Sequence, residues 1–303
     1  MTRYVLGVDG GGTKTDAVIA DEHGEVIASA SNGGANWERM GIDKALISLE
    51  EVIRKAAESA GIETSQIESA SFAIAGIDWP DDVKLYLPIT DRLGITNFQI
   101  MNDSFAALYA GAGKLEGIVS IAGTGGKTAG IYAGKEAQTM GMELGEGGGA
   151  GQLVGLALEY IAMQHHNTAA PSALYELMPK LMQKEPGTDF FQAVARSGLR
   201  LNESLAPEIF KLTPSSDPGA MYAVTRTAAQ HANDVIGIAK QLGISNQSIT
   251  IVRAGGLHTA GNKAFDAEFE KVVLGSLPGA TLKVLAEAPV MGAVQSAIGG
   301  LNG

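Results

Sequence analysis

The chain has 303 residues, a formal net charge of −11 and no cysteine, and 45% of its residues are apolar. The length suits two domains with a cleft between them, and the acidic balance excludes a nucleic-acid partner, which would need a basic face. The lack of cysteine excludes disulfides and cysteine-held metal clusters, and because no signal peptide or membrane-spanning apolar run is visible, we expect a cytoplasmic protein without a membrane partner.

The opening stretch Tyr4–Ala20 places a glycine run between two apolar segments. Tyr4–Val8 predicts a buried strand, and Ala17–Ala20 predicts the returning strand of a hairpin. Glycines let consecutive backbone N–H groups surround an anion, so the turn is a candidate phosphate site. Asp9, at the end of the first strand, is placed to hold a metal ion through its water shell. The alternative is an ordinary glycine-rich hairpin. The candidate phosphate ligands are Gly10, Gly11, Gly12, Thr13 and Lys14.

Strand patterns alternate with helix patterns up to about residue 117. Apolar residues at helical spacing predict a helix over Ile42–Ala60 that stops at Gly61, and another helix over 81–93. A further helix starts at Asp103, directly after a strand. The Asp103 carboxylate therefore lies where α/β folds bind ligands, although an aspartate at this place can also simply cap the helix. The remaining predicted strands of this part are 25–30, 69–75 and 97–101.

The hairpin pattern returns near Gly117, which predicts a second domain of similar topology. Ile118–Ala122 and Thr128–Tyr132 are its predicted strands. A Walker A loop is excluded, because that motif needs a glycine at position 121 and a helix after the loop. The turn is therefore a second candidate phosphate site or, alternatively, a simple hairpin turn. Its candidate ligands are Gly123, Thr124 and Gly125.

The second half of the chain is mostly helical in pattern, with one buried strand at 248–253 and an apolar helix from Pro289. Gly255 and Gly256 follow that strand and form a third glycine turn. The five histidines show no i, i+4 ligand spacing. We therefore expect the histidines to be structural or solvent-facing.

Four segments in this order resemble motifs of the actin, Hsp70 and sugar-kinase superfamily, in particular the branch with N-acetylglucosamine kinases and BadF/BadG/BcrA/BcrD ATPases. The resemblance implies an α/β protein with a two-domain actin-like ATPase fold, related to ribonuclease H, with a duplicated core and a nucleotide cleft between the domains. The first domain would span 1–117, completed by a C-terminal helix at 289–303, and the second would span 118–288. The segments are GVDGGGTKT at 7–15, MNDSFAALYAG at 101–111, IAGTGG at 121–126 and AGG at 254–256.

The resemblance also implies roles for single residues. Asp103 would be the general base that accepts the proton of a sugar hydroxyl, and Asp9 would hold Mg²⁺ through water. The glycines of both hairpin turns would bind the phosphates of ATP. Gly255 and Gly256 would lie against the adenosine.

Two further segments resemble sugar-binding parts of N-acetylglucosamine kinases. Asn36 can exchange hydrogen bonds with sugar hydroxyls and Trp37 can cover a pyranose ring, although Trp37 can equally pack against the following helix. Glu146 stands where the family has a sugar-binding aspartate. The glycines at 147–149 also depart from the family, and with the longer Glu146 side chain they suggest a more flexible loop and a different choice of sugar.

The resemblance therefore implies an ATP-dependent kinase with Mg²⁺ as cofactor and an N-acetylhexosamine or hexosamine as substrate, N-acetyl-D-glucosamine being the first choice. A homodimer is possible. One alternative is a BadF-type ATPase, whose iron–sulfur cluster this cysteine-free chain could not hold. Another is an ATP-binding regulatory protein without a sugar substrate. The presence of both Asn36 and Asp103 favours the kinase.

Overall fold

The computed structural model describes residues 2–142, 144–196 and 202–301. A five-stranded sheet occupies the first part of the chain, in the order β3-β2-β1-β4-β5. Pairing is antiparallel on one side of the first strand and parallel on the other. The strands are β1 (Tyr4–Gly10), β2 (Lys14–Asp21), β3 (Val26–Gly33), β4 (Ile67–Ile74) and β5 (Phe98–Met101).

A second five-stranded sheet repeats this arrangement, since its order read from one edge is β8-β7-β6-β9-β10 with the same pattern of antiparallel and parallel pairs. The duplicated core is thereby confirmed. The two edge strands β8 and β10 were not predicted, because they are short and largely exposed and so lack an apolar pattern. The strands are β6 (Gly117–Ala122), β7 (Gly126–Tyr132), β8 (Lys135–Gln138), β9 (Thr250–Ala254) and β10 (Thr281–Val284).

Helices pack against both sheets. Ile42–Ala60 is helical over the predicted bounds and ends at Gly61, which takes the left-handed conformation that favours glycine. The single helix predicted over 81–93 is wrong: two short helices form instead, and Pro88, which lacks a backbone N–H, opens the second.

The helices of the first part are α1 (Trp37–Met40), α2 (Ile42–Ala60), α3 (Val83–Tyr86), α4 (Pro88–Leu93) and α5 (Asp103–Ala112). Those that follow are α6 (Ala150–His165), α7 (Leu174–Leu181), α8 (Thr188–Arg196), α9 (Ala206–Phe210), α10 (Pro218–Leu242), α11 (Gly256–Thr259), α12 (Lys263–Ser276) and α13 (Pro289–Gly300). Short 3₁₀ turns lie at Thr64–Gln66, Glu203–Leu205 and Thr213–Ser215.

The C-terminal helix α13 returns to the first sheet, where Val290 and Val294 pack with Val5 and Val18. Gly7 permits this close approach, because a Cβ there would lie 2.5 Å from the backbone nitrogen of Val294. The predicted domain limits at 117/118 and 288/289 remain a prediction, and residues 1, 302 and 303 lie outside the described residues. Among the described helices, none combines the length and apolar character needed to cross a membrane.

Candidate active site

The turns of both glycine hairpins line one cavity of about 450 Å³. Asp103 and Asn36 line the same cavity, so four predicted site segments meet there. They belong to different parts of the chain and come together because the carboxyl ends of β1, β5 and β6 open toward this space. The predicted residues on the cavity wall are Gly12, Thr13, Asn36, Asp103, Gly123, Thr124 and Gly125.

A second cavity of about 430 Å³ continues from the first, since Gly123 and Thr124 line both. Its wall is mostly apolar and includes Phe210, Leu257 and Gly256. Gly255, which precedes Gly256, has φ +86°, and a Cβ there would lie 2.5 Å from the carbonyl carbon of Ala122. The two cavities together offer a polar space and an adjoining apolar space, a division that fits the phosphates and the base of a nucleotide.

Asp103 occupies the first turn of α5, but it does not cap the helix. The side-chain oxygen of Asn102 accepts the backbone N–H of Ser104 at 3.0 Å and provides the cap. Burial raises the pKa of Asp103 to about 6; the Lys127 ammonium opposes this rise and the Asp78 carboxylate adds to it. A carboxylate on a cavity wall with a pKa near neutrality can act as a general base.

Asp9 lies near the end of β1, and burial raises its pKa to about 7. The carboxylates of Asp103 and Asp16 add to the rise, whereas Lys14 lowers the pKa. In the described parts of the chain no group of three metal-ligating side chains is formed. This concentration of negative charge fits a divalent cation that keeps most of its water ligands, as Mg²⁺ usually does.

The first hairpin turn exposes only part of its predicted phosphate site to the cavity. Gly12 and Thr13 line it. Gly11 donates its N–H to the carbonyl of Lys14 at 2.9 Å, and Gly10 is buried against the core, so these two glycines shape the turn. The Lys14 ammonium lies 2.9 Å from Asp16 Oδ1 and does not line the cavity.

Asn36 and Trp37 have separate surroundings. The Asn36 side-chain oxygen caps α1 by accepting the N–H of Glu38 at 2.8 Å, which leaves the amide nitrogen for the cavity. The indole N–H of Trp37 donates to the carbonyl of Gly76 at 2.8 Å, and the ring packs on the core of the first sheet. The geometry therefore favours the packing role for Trp37 over a place against the sugar.

Glu146 is buried, and its carboxylate accepts backbone N–H groups from Gly141, at 3.2 Å, and from Met142. It holds its own loop together, and it is not on the cavity wall. The expected flexibility of the glycines at 147–149 is wrong, since all three are buried and tied to neighbouring elements.

Close packing explains these glycines. A Cβ on Gly126 would lie 1.8 Å from the carbonyl oxygen of Gly147, and one on Gly149 would lie 2.3 Å from the carbonyl oxygens of Gly123 and Thr124. The loop thus presses directly on the second hairpin turn. Two departures from the family pattern are therefore in direct contact with each other: glycine in place of serine at 126, and the glycine run at 147–149.

Two buried histidines form a chain of hydrogen bonds that ends on this loop. The ring N–H at His231 Nε2 donates to the carbonyl of Gly148 at 2.8 Å, so in the neutral ring Nδ1 accepts the Ser120 hydroxyl at 3.3 Å. Ser120 in turn accepts the N–H at His258 Nε2 at 3.1 Å. Burial lowers the pKa of His231 to about 4 and that of His258 well below its usual value. Both rings are neutral near pH 7 and structural, as the sequence indicated.

An ion pair that the sequence did not predict connects the two sheets at the cavity. Lys127 Nζ on β7 lies 2.7 Å from Asp78 Oδ1, which follows β4, and 2.6 Å from the carbonyl of Thr139. Asn102 also donates to Asp78, at 3.2 Å. Lys127 and Asp78 are 49 residues apart, so no local pattern could pair them.

Comparisons with known proteins match nearly the whole chain to one family. The model of the BadF/BadG/BcrA/BcrD ATPase family matches residues 6–299. The N-acetyl-D-glucosamine kinase of Dictyostelium discoideum is 35% identical over 130 residues, 40% of this chain and 41% of that protein. An N-acetylmuramic acid/N-acetylglucosamine kinase of Clostridium acetobutylicum is 23% identical over 302 residues, which cover 96% and 97% of the two chains.

The same fold is found in a solved structure. The crystal structure of a candidate N-acetylglucosamine kinase from Chromobacterium violaceum superposes with a TM-score of 0.71 at 20% identity, covering 98% of this chain and 99% of that one. The predicted two-domain actin-like α/β fold is thereby confirmed.

Proposed function

Because the chain belongs to the BadF/BadG/BcrA/BcrD ATPase family, we propose that it is an ATP-dependent kinase for a hydroxyl of an N-acetylhexosamine or hexosamine. One observation carries this proposal: Asp103, with a pKa raised to about 6, lines the same cavity as both glycine hairpin turns. The names of the relatives make N-acetyl-D-glucosamine the first sugar to test.

The nucleotide is proposed to lie across both cavities. The apolar cavity beside Gly256 suits the adenine and ribose, and the shared wall at Gly123 and Thr124 leads from there to the first hairpin turn. Backbone N–H groups and the hydroxyls of Thr13 and Thr124 would hold the phosphates. An acidic chain can bind an anion in this way because the donors are local.

Magnesium is proposed to bind beside Asp9, where the carboxylates of Asp103 and Asp16 add to the raised pKa of Asp9. A bound Mg²⁺ neutralises charge on the β- and γ-phosphates during phosphoryl transfer. Asp9 would orient the water shell of that ion.

The reaction itself needs few protein groups, since phosphoryl transfer is catalysed mainly by positioning and charge stabilisation. The Asn36 amide nitrogen would donate to a sugar oxygen and orient the acceptor hydroxyl. The oxygen of the acceptor hydroxyl forms a bond to the γ-phosphorus, while the bond from the γ-phosphorus to the bridging oxygen breaks and ADP leaves. The hydroxyl proton passes to the Asp103 carboxylate.

The competing proposal is an ATP-binding regulator without a sugar substrate. A panel assay separates the two: the purified protein is given ATP, Mg²⁺ and, in turn, N-acetylglucosamine, N-acetylmuramic acid, glucosamine and glucose, with ADP and sugar phosphate both quantified. We expect ADP and sugar phosphate in equal amounts with at least one amino sugar. ATP binding without phosphorylation of any sugar would favour the regulator.

A further inference from the structure

Arg39 is a cation of the cavity to which neither the sequence nor the proposed function assigns a role. It lies on α1, its side chain is exposed to solvent, and it lines the 450 Å³ cavity together with Thr13, Asp103 and Thr124. It is therefore on the wall that would surround the γ-phosphate of a bound nucleotide.

The guanidinium group lies flat over the first hairpin turn. A Cβ built on Gly12 would be 3.1 Å from Arg39 Nη1, 3.3 Å from Cζ and 3.3 Å from Nε. Three atoms of one plane at nearly equal distances mean that the face of the guanidinium covers Gly12. Its N–H groups lie in that plane, so they point along the cavity wall and away from the turn.

The charge of Arg39 is available, unlike that of its neighbours. Lys127 is held by Asp78 at 2.7 Å, and Lys14 is held by Asp16 and lies off the cavity wall. The Arg39 side chain forms no ion pair or hydrogen bond with any residue in the described ranges 2–142, 144–196 and 202–301. An unpaired guanidinium packed against a phosphate-binding turn is a preorganised group for stabilising anionic charge.

We propose that Arg39 is a further catalytic residue of the kinase, which donates hydrogen bonds to the γ-phosphoryl oxygens in the transition state. The proposal rests on the proposed function. As the sugar oxygen bonds to the γ-phosphorus and the bridging oxygen departs with ADP, charge spreads over the three equatorial oxygens. The planar guanidinium group of Arg39 donates hydrogen bonds to two of these oxygens. Asp103 accepts the hydroxyl proton, and no further reactant is needed.

This role differs from ground-state binding in what a substitution changes. A group that acts mainly in the transition state lowers kcat when it is removed and leaves the KM values for ATP and sugar nearly unchanged. The loss of one such donor costs about 10²–10³ in kcat. Lysine keeps the positive charge but lacks the two parallel N–H donors of the guanidinium group, so Arg39→Lys should retain part of the rate.

The experiment measures kcat, both KM values and ATP affinity for the parent, Arg39→Gln, Arg39→Lys and Arg39→Ala. Arg54→Gln is the matched control, since Arg54 pairs with Glu50 on the outer surface of α2. We expect kcat to fall about 10²–10³-fold in Arg39→Gln and less in Arg39→Lys. Added guanidinium ion should restore part of kcat in Arg39→Ala alone, and Arg54→Gln should match the parent.

Two results would overturn the proposal separately from the proposed function. If the parent phosphorylates a sugar and Arg39→Gln keeps kcat within about threefold, Arg39 has no catalytic role. The proposal is also overturned if Arg39→Gln changes only a KM, or if added guanidinium ion restores no kcat in Arg39→Ala. A parent that phosphorylates no sugar would overturn both proposals. Because Arg39 is exposed, the variants should fold, which circular dichroism and ATP binding check.

Discussion

The two hairpins occupy equivalent places in the two sheets but differ in chemistry. β1–β2 and β6–β7 are each the antiparallel pair at the centre of a sheet of the same strand order. The next-to-last residue of β1 is Asp9, whereas that of β6 is Ile121. The first turn is surrounded by Asp103 and Arg39, while the second is backed by buried glycines and the neutral ring of His231.

This difference shows how the two copies of a duplicated core can serve different steps, one nucleotide binding and the other the chemical reaction. The second hairpin offers backbone geometry in a closely packed setting, where the Lys127 charge on β7 is balanced by Asp78, and this suits nucleotide binding. The first hairpin carries ionisable groups in a partly buried setting, which suits proton and phosphoryl transfer. We therefore expect substitutions near the first hairpin to change mainly turnover, and substitutions behind the second to change mainly ATP affinity and stability.

The largest effect is expected for Asp103→Asn. Turnover should fall about 10²–10⁴-fold, the usual contribution of a general base. ATP affinity should stay close to that of the parent. Thermal stability should not fall, because Asn102 and not Asp103 caps α5 and because the ionised Asp103, whose pKa is raised to about 6, opposes folding above that pH. Asp91→Asn, at an exposed position on α4, is the control. Turnover equal to that of the parent would exclude Asp103 as the base.

Asp9→Asn should separate activity from stability. Turnover should fall about 10–100-fold and recover in part at high Mg²⁺, as is typical when a group that orients a metal ion is lost. The folded-state pKa of Asp9 is raised to about 7, so above that pH the ionised group opposes folding. The variant should therefore be more stable without ligand, by about 1–2 kcal/mol after allowance for solvent screening. Denaturant titrations at pH 8 measure this, and lower stability would show that the carboxylate is favourably paired.

Gly149→Ala should weaken nucleotide binding through the second hairpin. The added Cβ would lie 2.3 Å from two backbone oxygens of the turn, which must then shift. We expect ATP affinity to fall about tenfold and the variant to lose about 1–3 kcal/mol of stability from overpacking. Gly155→Ala on α6, where a Cβ meets nothing within 4 Å, is the control and should gain about 0.5–1 kcal/mol. Equal ATP affinity in both variants would show that the loop does not support the turn.

The smallest effect on turnover is expected for His231→Gln, because His231 acts through a pH dependence of stability. Its pKa is about 4 in the folded protein and 6.5 when unfolded, so stability is fully present above pH 6.5 and is lost as the pH falls toward 4. The loss between pH 6.5 and 5 is about 2 kcal/mol. His231→Gln, which can still donate to Gly148, should lack this contribution, and titrating groups that do not interact with His231 cancel in the comparison. Identical pH profiles of parent and variant in urea unfolding would contradict a neutral buried His231.

The sequence predicted the parts of the fold that have strong local patterns. α2 was correct at both ends because its apolar face repeats over nineteen residues and Gly61 can take a positive φ. Both hairpins were visible because glycine runs interrupt apolar strands. β8 and β10 were missed because short exposed edge strands carry no such pattern.

The candidate site was less predictable, because its details depend on contacts between distant residues. Arg39 reaches Gly12 only once β3 and α1 are folded back onto the first hairpin. Trp37 and Glu146 have residue types that suit a sugar, yet their polar atoms are used by Gly76 and by the Gly141 loop. Residue type alone could not distinguish these uses.

The division of work between the hairpins is tested most directly by kcat/KM for ATP in a double-variant cycle of Asp103→Asn and Thr124→Val. Thr124 lines both cavities at the second turn, and loss of its hydroxyl should weaken ATP binding about tenfold or more. If the two sites act independently, the double variant loses the product of the two single losses, within about twofold. A double variant no worse than Asp103→Asn alone would contradict the account, because both residues would then serve one step.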